Sequence, residues 1–341
     1  METKYLTQNE IETAAAILRE GGLVGIPTET VYGLGANGLD TKAVADIFTA
    51  KGRPQDNPLI LHIPDADWLG RYCRDIPDTA YELARCFWPG PLTMVLPRRD
   101  NVPDVVTAGL DTVGMRCPGH ALCREIIALA GVPVAAPSGN TSGRPSPTTA
   151  QHMLEDMDGR IHAIVDGGPC GVGVESTIID LTCTPPRLLR PGGVTLEQLR
   201  QVLDEVEVDA AVTRQMKAGE KPKAPGMAYR HYAPKAPVTV VAGDPYRSAA
   251  YIADHAVAGD GVICFDEYIS LFPEQAGQGY VAGLGRAVDK EEQARHIFDA
   301  LRGFDHTAVT AIWAQCPDTG GIGLAVANRL NKAAGFHIVE V

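Results

Sequence analysis

Between residues 210 and 235 the chain loses its apolar periodicity and becomes rich in Lys, Ala, Pro and Gly. A stretch of that composition buries no face of its own, so it divides the chain. Two units follow, residues 1–209 and residues 236–341, with 210–235 as an interdomain linker. With 341 residues in all, each unit has enough chain for its own core. The linker ends in Ala224-Pro225-Gly226-Met227-Ala228-Tyr229-Arg230-His231-Tyr232-Ala233-Pro234, which carries more aromatic and basic side chains than a spacer needs. Such a segment either packs on a domain surface or folds over a ligand, and Tyr229 to Tyr232 are the residues placed to cover one.

In the first unit, short apolar runs end in polar loops. Thr7-Gln8-Asn9-Glu10 has capping-box spacing before the apolar face Ile11, Ala14, Ala15 and Leu18. The strand Leu23–Ile26 runs into a loop, Pro27-Thr28-Glu29-Thr30-Val31-Tyr32-Gly33-Leu34-Gly35. A helix opening at Thr41 delivers Lys51, and Lys51-Gly52-Arg53-Pro54-Gln55-Asp56-Asn57-Pro58 then sets two cations two residues apart on a stiffened turn. Alone, that pair reads most simply as a helix-dipole cap and a solvated arginine. Held at the mouth of a pocket, it suits an anion with several oxygens. His62 lies within the apolar strand Leu59–Ile63, where a packed core histidine is the plain reading. Thr112, Gly114 and Arg116 share one face of a further strand. The strand Val132–Ala136 ends in Ser138-Gly139-Asn140-Thr141-Ser142-Gly143-Arg144-Pro145-Ser146, a neutral hydrogen-bonding loop of the kind that holds ligands at a strand's carboxyl end. Ser176 and Thr177 point to opposite faces of their strand, so at most one of them faces a site.

The second unit alternates strands at Val238–Val241, Val262–Phe265 and Val309–Trp313 with helices near Ser248–Val257 and Lys290–Leu301. Thr319-Gly320-Gly321-Ile322-Gly323 then opens a helix before a final strand, Phe336–Val341. This is a small Rossmann-like α/β pattern. It holds no G-x-G-x-x-G, so these glycines are read as close packing rather than a dinucleotide loop.

Several functions are argued against. The net charge of −12 opposes a mainly nucleic-acid-binding role. The eight cysteines are scattered without a C-x-x-C, against a zinc site or disulfide framework and in keeping with a reducing cytoplasm. No apolar run reaches the ~20 residues that span a bilayer, and Met1-Glu2-Thr3-Lys4 precedes no signal core. A Walker A loop, H-E-x-x-H and a G-x-S-x-G elbow are missing as well.

The combination of Pro27-Thr28-Glu29-Thr30-Val31-Tyr32-Gly33-Leu34, Lys51-x-Arg53-Pro54, Asn57-Pro58-Leu59 and Ser138-x-Asn140 resembles the signature of the YrdC-like superfamily. Pro225-Gly226-Met227, Tyr229-Arg230-His231-Tyr232-Ala233-Pro234 and the second unit are similar to the long, two-domain threonylcarbamoyl-AMP synthases. Ala224 departs from the serine that this family often has there. The resemblance implies an α/β fold, a twisted mixed sheet with helices, followed by the smaller Rossmann-like domain. It implies a nucleotidyltransferase that converts L-threonine, bicarbonate and ATP, with Mg²⁺, to threonylcarbamoyl-AMP and pyrophosphate. The product would pass to the threonylcarbamoyl transferase machinery acting on tRNA, with at most weak contact to RNA. Lys51, Arg53, Ser138 and Asn140 are the implied catalytic positions. Thr30, His62, Arg116, Ala136 and Ser176 would hold threonine. Arg53, Asn57, Thr112, Ser138, Ser146, Arg190 and Tyr232 would hold ATP. The competing readings are a noncatalytic RNA-binding or regulatory module of the same fold and a carbamoyl-handling domain of the hydrogenase-maturation type.

Overall fold

The apolar runs of the sequence fall into two sheets in the computed structural model, which describes residues 2–216, 222–227, 231–272 and 280–341. The first sheet has eleven strands in the order Lys4–Leu6, Ala163–Val165, Val24–Ile26, Gly33–Asn37, Val134–Ala135, Ile60–His62, Thr112–Arg116, Leu92–Pro97, Thr177–Asp180, Arg187–Arg190 and Glu207–Val208. It is mixed, as expected. Ile60–His62 runs parallel to Thr112–Arg116 on one side and antiparallel to Val134–Ala135 on the other.

Both faces are covered. On one, Val44, Ile47 and Phe48 of the helix Thr41–Lys51 pack with Leu83, Met94, Met115 and Ile179. On the other, the helices Ile11–Arg19 and Ala121–Ala130 bring Ala14, Leu18, Ile126 and Ile127 against Val24, Ile26 and Val165. Each fully buried aliphatic side chain of this kind contributes roughly 1.5–3 kcal/mol.

The sequence reading holds no strand at Lys4–Leu6, Glu207–Val208 or Tyr280–Gly283, and two further features differ from it. Gly33–Asn37 is a strand rather than the end of a loop. Its Gly35 is required by contact, because a Cβ there would lie 2.9 Å from Val134 Cγ1 and 3.3 Å from the Val24 carbonyl. A strand that needs glycine for close approach looks like a turn in sequence. The capping box at Thr7 is only half made: Glu10 accepts from the Thr7 backbone N–H, but the Thr7 hydroxyl also turns to Glu10, and the helix begins at Ile11. The box at Thr195–Gln198 is complete.

The second sheet is wholly parallel, in the order Tyr280–Gly283, Asp260–Cys264, Ala311–Gln315, Val238–Ala242 and Ile338–Glu340. The helices Pro245–His255, Lys290–Gly303 and Gly323–Ala333 accompany it, which is the Rossmann-like arrangement. A Cβ on Gly323 would fall 2.2 Å from the Asp318 carbonyl, so this glycine serves close packing.

The two units are joined by more than the linker. Val31 and Val174 of the first unit share an apolar cluster with Phe298 and Leu301 of the second and with Tyr232. Arg302, only 2% exposed, donates to the Pro145 carbonyl at 2.7 Å and to Asp156 Oδ2 at 2.8 Å. Arg144 bridges Asp156 and Asp305, the latter at 3.0 Å. Ala224 and Met227 of the linker pack on Ile60, Val95, Ile178 and Leu189. Among the described residues no helix is long and apolar enough to cross a membrane.

Candidate active site

Strand register assembles the site. His62 and Arg116 are direct neighbours across the parallel pair Ile60–His62 and Thr112–Arg116. On the other side, the Ala136 N–H bonds the Ile60 carbonyl, which fixes where the Ser138–Asn140 loop begins. The helix Thr41–Lys51, capped by Asp40, stops at Gly52 with φ +63°, a left-handed conformation that glycine adopts freely. Lys51 thereby lies against that loop. A partly enclosed cavity results, lined by both polar and apolar groups.

Eleven of the residues expected from sequence line this cavity: Thr30, Lys51, Arg53, His62, Arg116, Ala136, Ser138, Asn140, Ser176, Arg190 and Tyr232. Asn57, Thr112 and Ser146 do not. Thr112 faces a smaller adjoining recess with Gly114, Thr93 and Lys223. Asn57 is buried beside Arg53, and its Oδ1 has no hydrogen-bond partner. Ser146 is buried and donates to Glu175. Ser176 faces the cavity while the Thr177 hydroxyl donates away from it to the Val194 carbonyl, so the one-face expectation for this pair holds. Pro225, Gly226, His231 and Tyr232 of the linker form part of the wall. Tyr229 and Arg230, the other residues expected to cover a ligand, lie outside the described residues.

Lys51 is not at the mouth, where the sequence reading put it. It is 2% exposed, and its ammonium donates to the Ser138 and Asn140 carbonyls. The Asn140 side chain closes the same loop on itself. It accepts from the Ser138 hydroxyl at 2.6 Å and donates to the Thr141 and Arg144 carbonyls. Lys51 and the Ser-x-Asn loop are thus one hydrogen-bonded unit, whereas Arg53 bonds its own turn.

The electrostatics of the cavity are unusual. Lys51 and Arg190 are buried and Arg53 partly so, yet among the described residues their hydrogen bonds go to carbonyls and one hydroxyl, never to a carboxylate. Arg53 reaches the Asn57 and Pro58 carbonyls at 3.4 and 3.3 Å and leaves Nε unpartnered. Arg190 reaches the Ser176 carbonyl and hydroxyl and the Pro225 carbonyl. Burial, and then Arg53, lower the Lys51 pKa well below its usual value. Burial lowers Arg53 to about 10 and Arg190 to about 10. Cations buried on neutral partners are costly, and a bound anion offsets that cost.

A second cluster lies at His62. Arg116 donates from Nη2 to Glu29 Oε1 at 2.7 Å and to Thr30 Oγ1 at 2.9 Å, leaving Nε buried without a partner. Burial raises the Glu29 pKa, but the Arg116 charge, the Gly119 N–H and the Arg116 hydrogen bond together hold the carboxylate below its usual range. His62 Nδ1 also has no partner. Burial, then the Arg116 charge, lower the His62 pKa to about 3, so the ring is neutral at pH 7.

The unfolded chain protonates His62 below about pH 6.5 and the folded chain does not until about pH 3. Its contribution is therefore complete above pH 6.5 and is lost as pH falls through that window, at up to ~1.4 kcal/mol per unit. His62→Gln should flatten the fall of the urea midpoint between pH 6.5 and 4; a slope equal to wild type would show that His62 does not titrate there.

Glu175 is the residue that sequence reasoning missed. It lines the cavity, accepts from Ser146, and pairs with Arg329 of the second unit at 2.8 Å. Burial opposes its charge, but Arg329 and then Arg190 hold its pKa at about 2. The available signal was Arg329 itself, a cation set among Ala325, Val326, Ala327, Leu330 and Ala333.

A mixed α/β sheet with a cation-lined cavity, walled in part by the linker to a Rossmann-like domain, defines the two-domain YrdC-like class. The chain belongs to the Sua5/YciO/YrdC family. The family model, described as "Telomere recombination", matches residues 16–192, and a second, described as "Threonylcarbamoyl-AMP synthase, C-terminal domain", matches residues 194–335. A threonylcarbamoyl-AMP synthase of Pyrococcus abyssi is 48% identical, covering 97% of this chain and 96% of its own. One from Bacillus subtilis is 47% identical over 99% of this chain and 97% of its own. A crystal structure of Pyrococcus abyssi Sua5 with L-threonine superposes with a TM-score of 0.88 at 45% identity, covering both chains completely.

Proposed function

We propose that the chain is an L-threonylcarbamoyladenylate synthase, forming threonylcarbamoyl-AMP and pyrophosphate from L-threonine, bicarbonate and ATP. The product is a mixed anhydride that a threonylcarbamoyl transferase consumes to modify adenosine in tRNA. One observation carries the reading: Lys51, Arg53 and Arg190 converge on one cavity with no carboxylate bonded to any of them among the described residues. Two anionic reactants, a carbamate and a triphosphate, meet only where such charge offsets their repulsion.

The residues take these parts. Arg116, with Nε still open, receives the threonine carboxylate, and Thr30 and Ser176 orient the amino acid. Neutral His62 accepts a hydrogen bond from the threonine amine at Nδ1, which keeps the amine nucleophilic toward bicarbonate carbon. Arg53 and Arg190 receive the phosphates, with Asn57, Thr112 and Tyr232 on the nucleotide side. Lys51 and Asn140 hold the Ser138 loop against them. Mg²⁺ enters with ATP. There it would supply charge that offsets the repulsion between the triphosphate and the carbamate. Walling by Pro225, Gly226 and Tyr232 limits water around a carbamate that hydrolyses readily.

The test is pyrophosphate release with each substrate omitted in turn. Release that needs threonine, bicarbonate and ATP together is the expected result. Release without threonine overturns the reading, as does carbamoyl phosphate substituting for bicarbonate.

A further inference from the structure

The last helix, Gly323–Ala333, turns three buried polar side chains toward the rest of the chain. Asn328 donates to the Val212 carbonyl at 2.7 Å, Arg329 to Glu175 and the Pro191 carbonyl at 2.8 and 2.9 Å, and Lys332 to the Gly226 carbonyl. Of the three, only Arg329 grips a side chain that lines the cavity. It is 0% exposed and Glu175 is 6% exposed. The other Glu175 oxygen accepts from the Ser146 hydroxyl at 2.5 Å. The Arg329 Cζ lies 5.6 Å from the centroid of the Tyr232 ring. Tyr232 itself sits at φ +63°, a left-handed conformation that strains an aromatic residue and that only surrounding contacts maintain.

The charge count is what makes this arrangement informative. Glu175 is a buried carboxylate beside Arg190, and it would pair with Arg190 if nothing else neutralised it. Arg329 does so from the second domain, and Arg190 stays on the Ser176 and Pro225 carbonyls, open to an anion. We propose that Arg329 is a positioning residue for the nucleotide end of the cavity: by holding Glu175 it keeps Arg190 available to phosphate and sets Ser146 and Tyr232 beside it. The second domain thereby completes the nucleotide site through one side chain that touches no substrate. This rests on the preceding reading that ATP is the ligand there.

The experiment compares Arg329→Met, Arg329→Lys, Glu175→Gln and the double variant Arg329→Met with Glu175→Gln. Val326→Ala, at a buried apolar position, serves as a control on the same helix. Arg329→Met should raise the KM for ATP about 10- to 100-fold, the scale of one hydrogen bond to a charged group, and leave the KM for threonine within about threefold. Arg329→Lys should recover part of the loss. The double variant should be no worse than Arg329→Met alone, because both lesions break one coupling. Val326→Ala should lower the thermal midpoint and leave both KM values as they are. An ATP effect in Arg329→Met no larger than in Val326→Ala, or strictly additive effects in the cycle, overturns the proposal. Calorimetric titration with ATP separates it from its premise. A wild-type protein that does not bind ATP overturns the premise, whereas wild-type binding that Arg329→Met leaves unchanged overturns only the role of Arg329.

Discussion

Lys51→Ala is expected to lower kcat/KM for pyrophosphate release at least ~100-fold, the scale for losing one charge-stabilising group. Two losses act together. One positive charge leaves a cavity in which two anions must meet. The Ser138 and Asn140 carbonyls also lose their shared donor, and each buried carbonyl left unsatisfied costs about 1–3 kcal/mol. The loop they belong to carries the Ser138 hydroxyl and runs on to Ser146. Lys51→Met, which keeps the stem and removes the charge, should be as inactive as Lys51→Ala. Its urea midpoint should fall less, because an ammonium with a depressed pKa is itself costly to bury. Activity within tenfold of wild type in either variant would show that this cation has no part in the reaction.

The second large effect falls on Arg116. Arg116→Gln should raise the KM for threonine about 100-fold and change that for ATP no more than about threefold, since truncating one member of a buried charge pair costs about 2–5 kcal/mol. Part of that figure is not recognition at all. Glu29 loses the cation that holds its carboxylate charged, and is left buried beside Thr30. Adding Glu29→Gln removes that liability. The double variant should regain stability in urea and remain as poor in threonine KM as Arg116→Gln. Recovery of threonine affinity in the double variant would mean that Arg116 only neutralises Glu29.

What sequence revealed, and what it hid, follows from the range of the interactions. Local signals were legible. Asp40 and Gly52 bound the helix that carries Lys51. Alternation along Ser176 and Thr177 sent one hydroxyl to the cavity and the other to Val194. The alternating pattern after Val238 became a parallel sheet. The hidden parts are pairings across long separations. Gly33–Asn37 reads as a turn because its Gly35 answers to Val134 and Val24, on strands it meets only in the folded sheet. Lys51 looked like a surface cation because nothing near it in sequence announces the two carbonyls that bury it. Glu175 had no visible role because its partner stands 154 residues away. The resemblance to a known family supplied the list of site residues. The structure adds that Lys51, Ser138 and Asn140 act as one hydrogen-bonded group.

A crystal structure of the protein with L-threonine and a non-hydrolysable ATP analogue bound tests the central claim most directly. The account predicts triphosphate oxygens within hydrogen-bond distance of Arg53 and Arg190, and the threonine carboxylate on Arg116 Nε. A complex in which both ligands are bound and neither touches Arg53, Arg190 or Arg116 would contradict it.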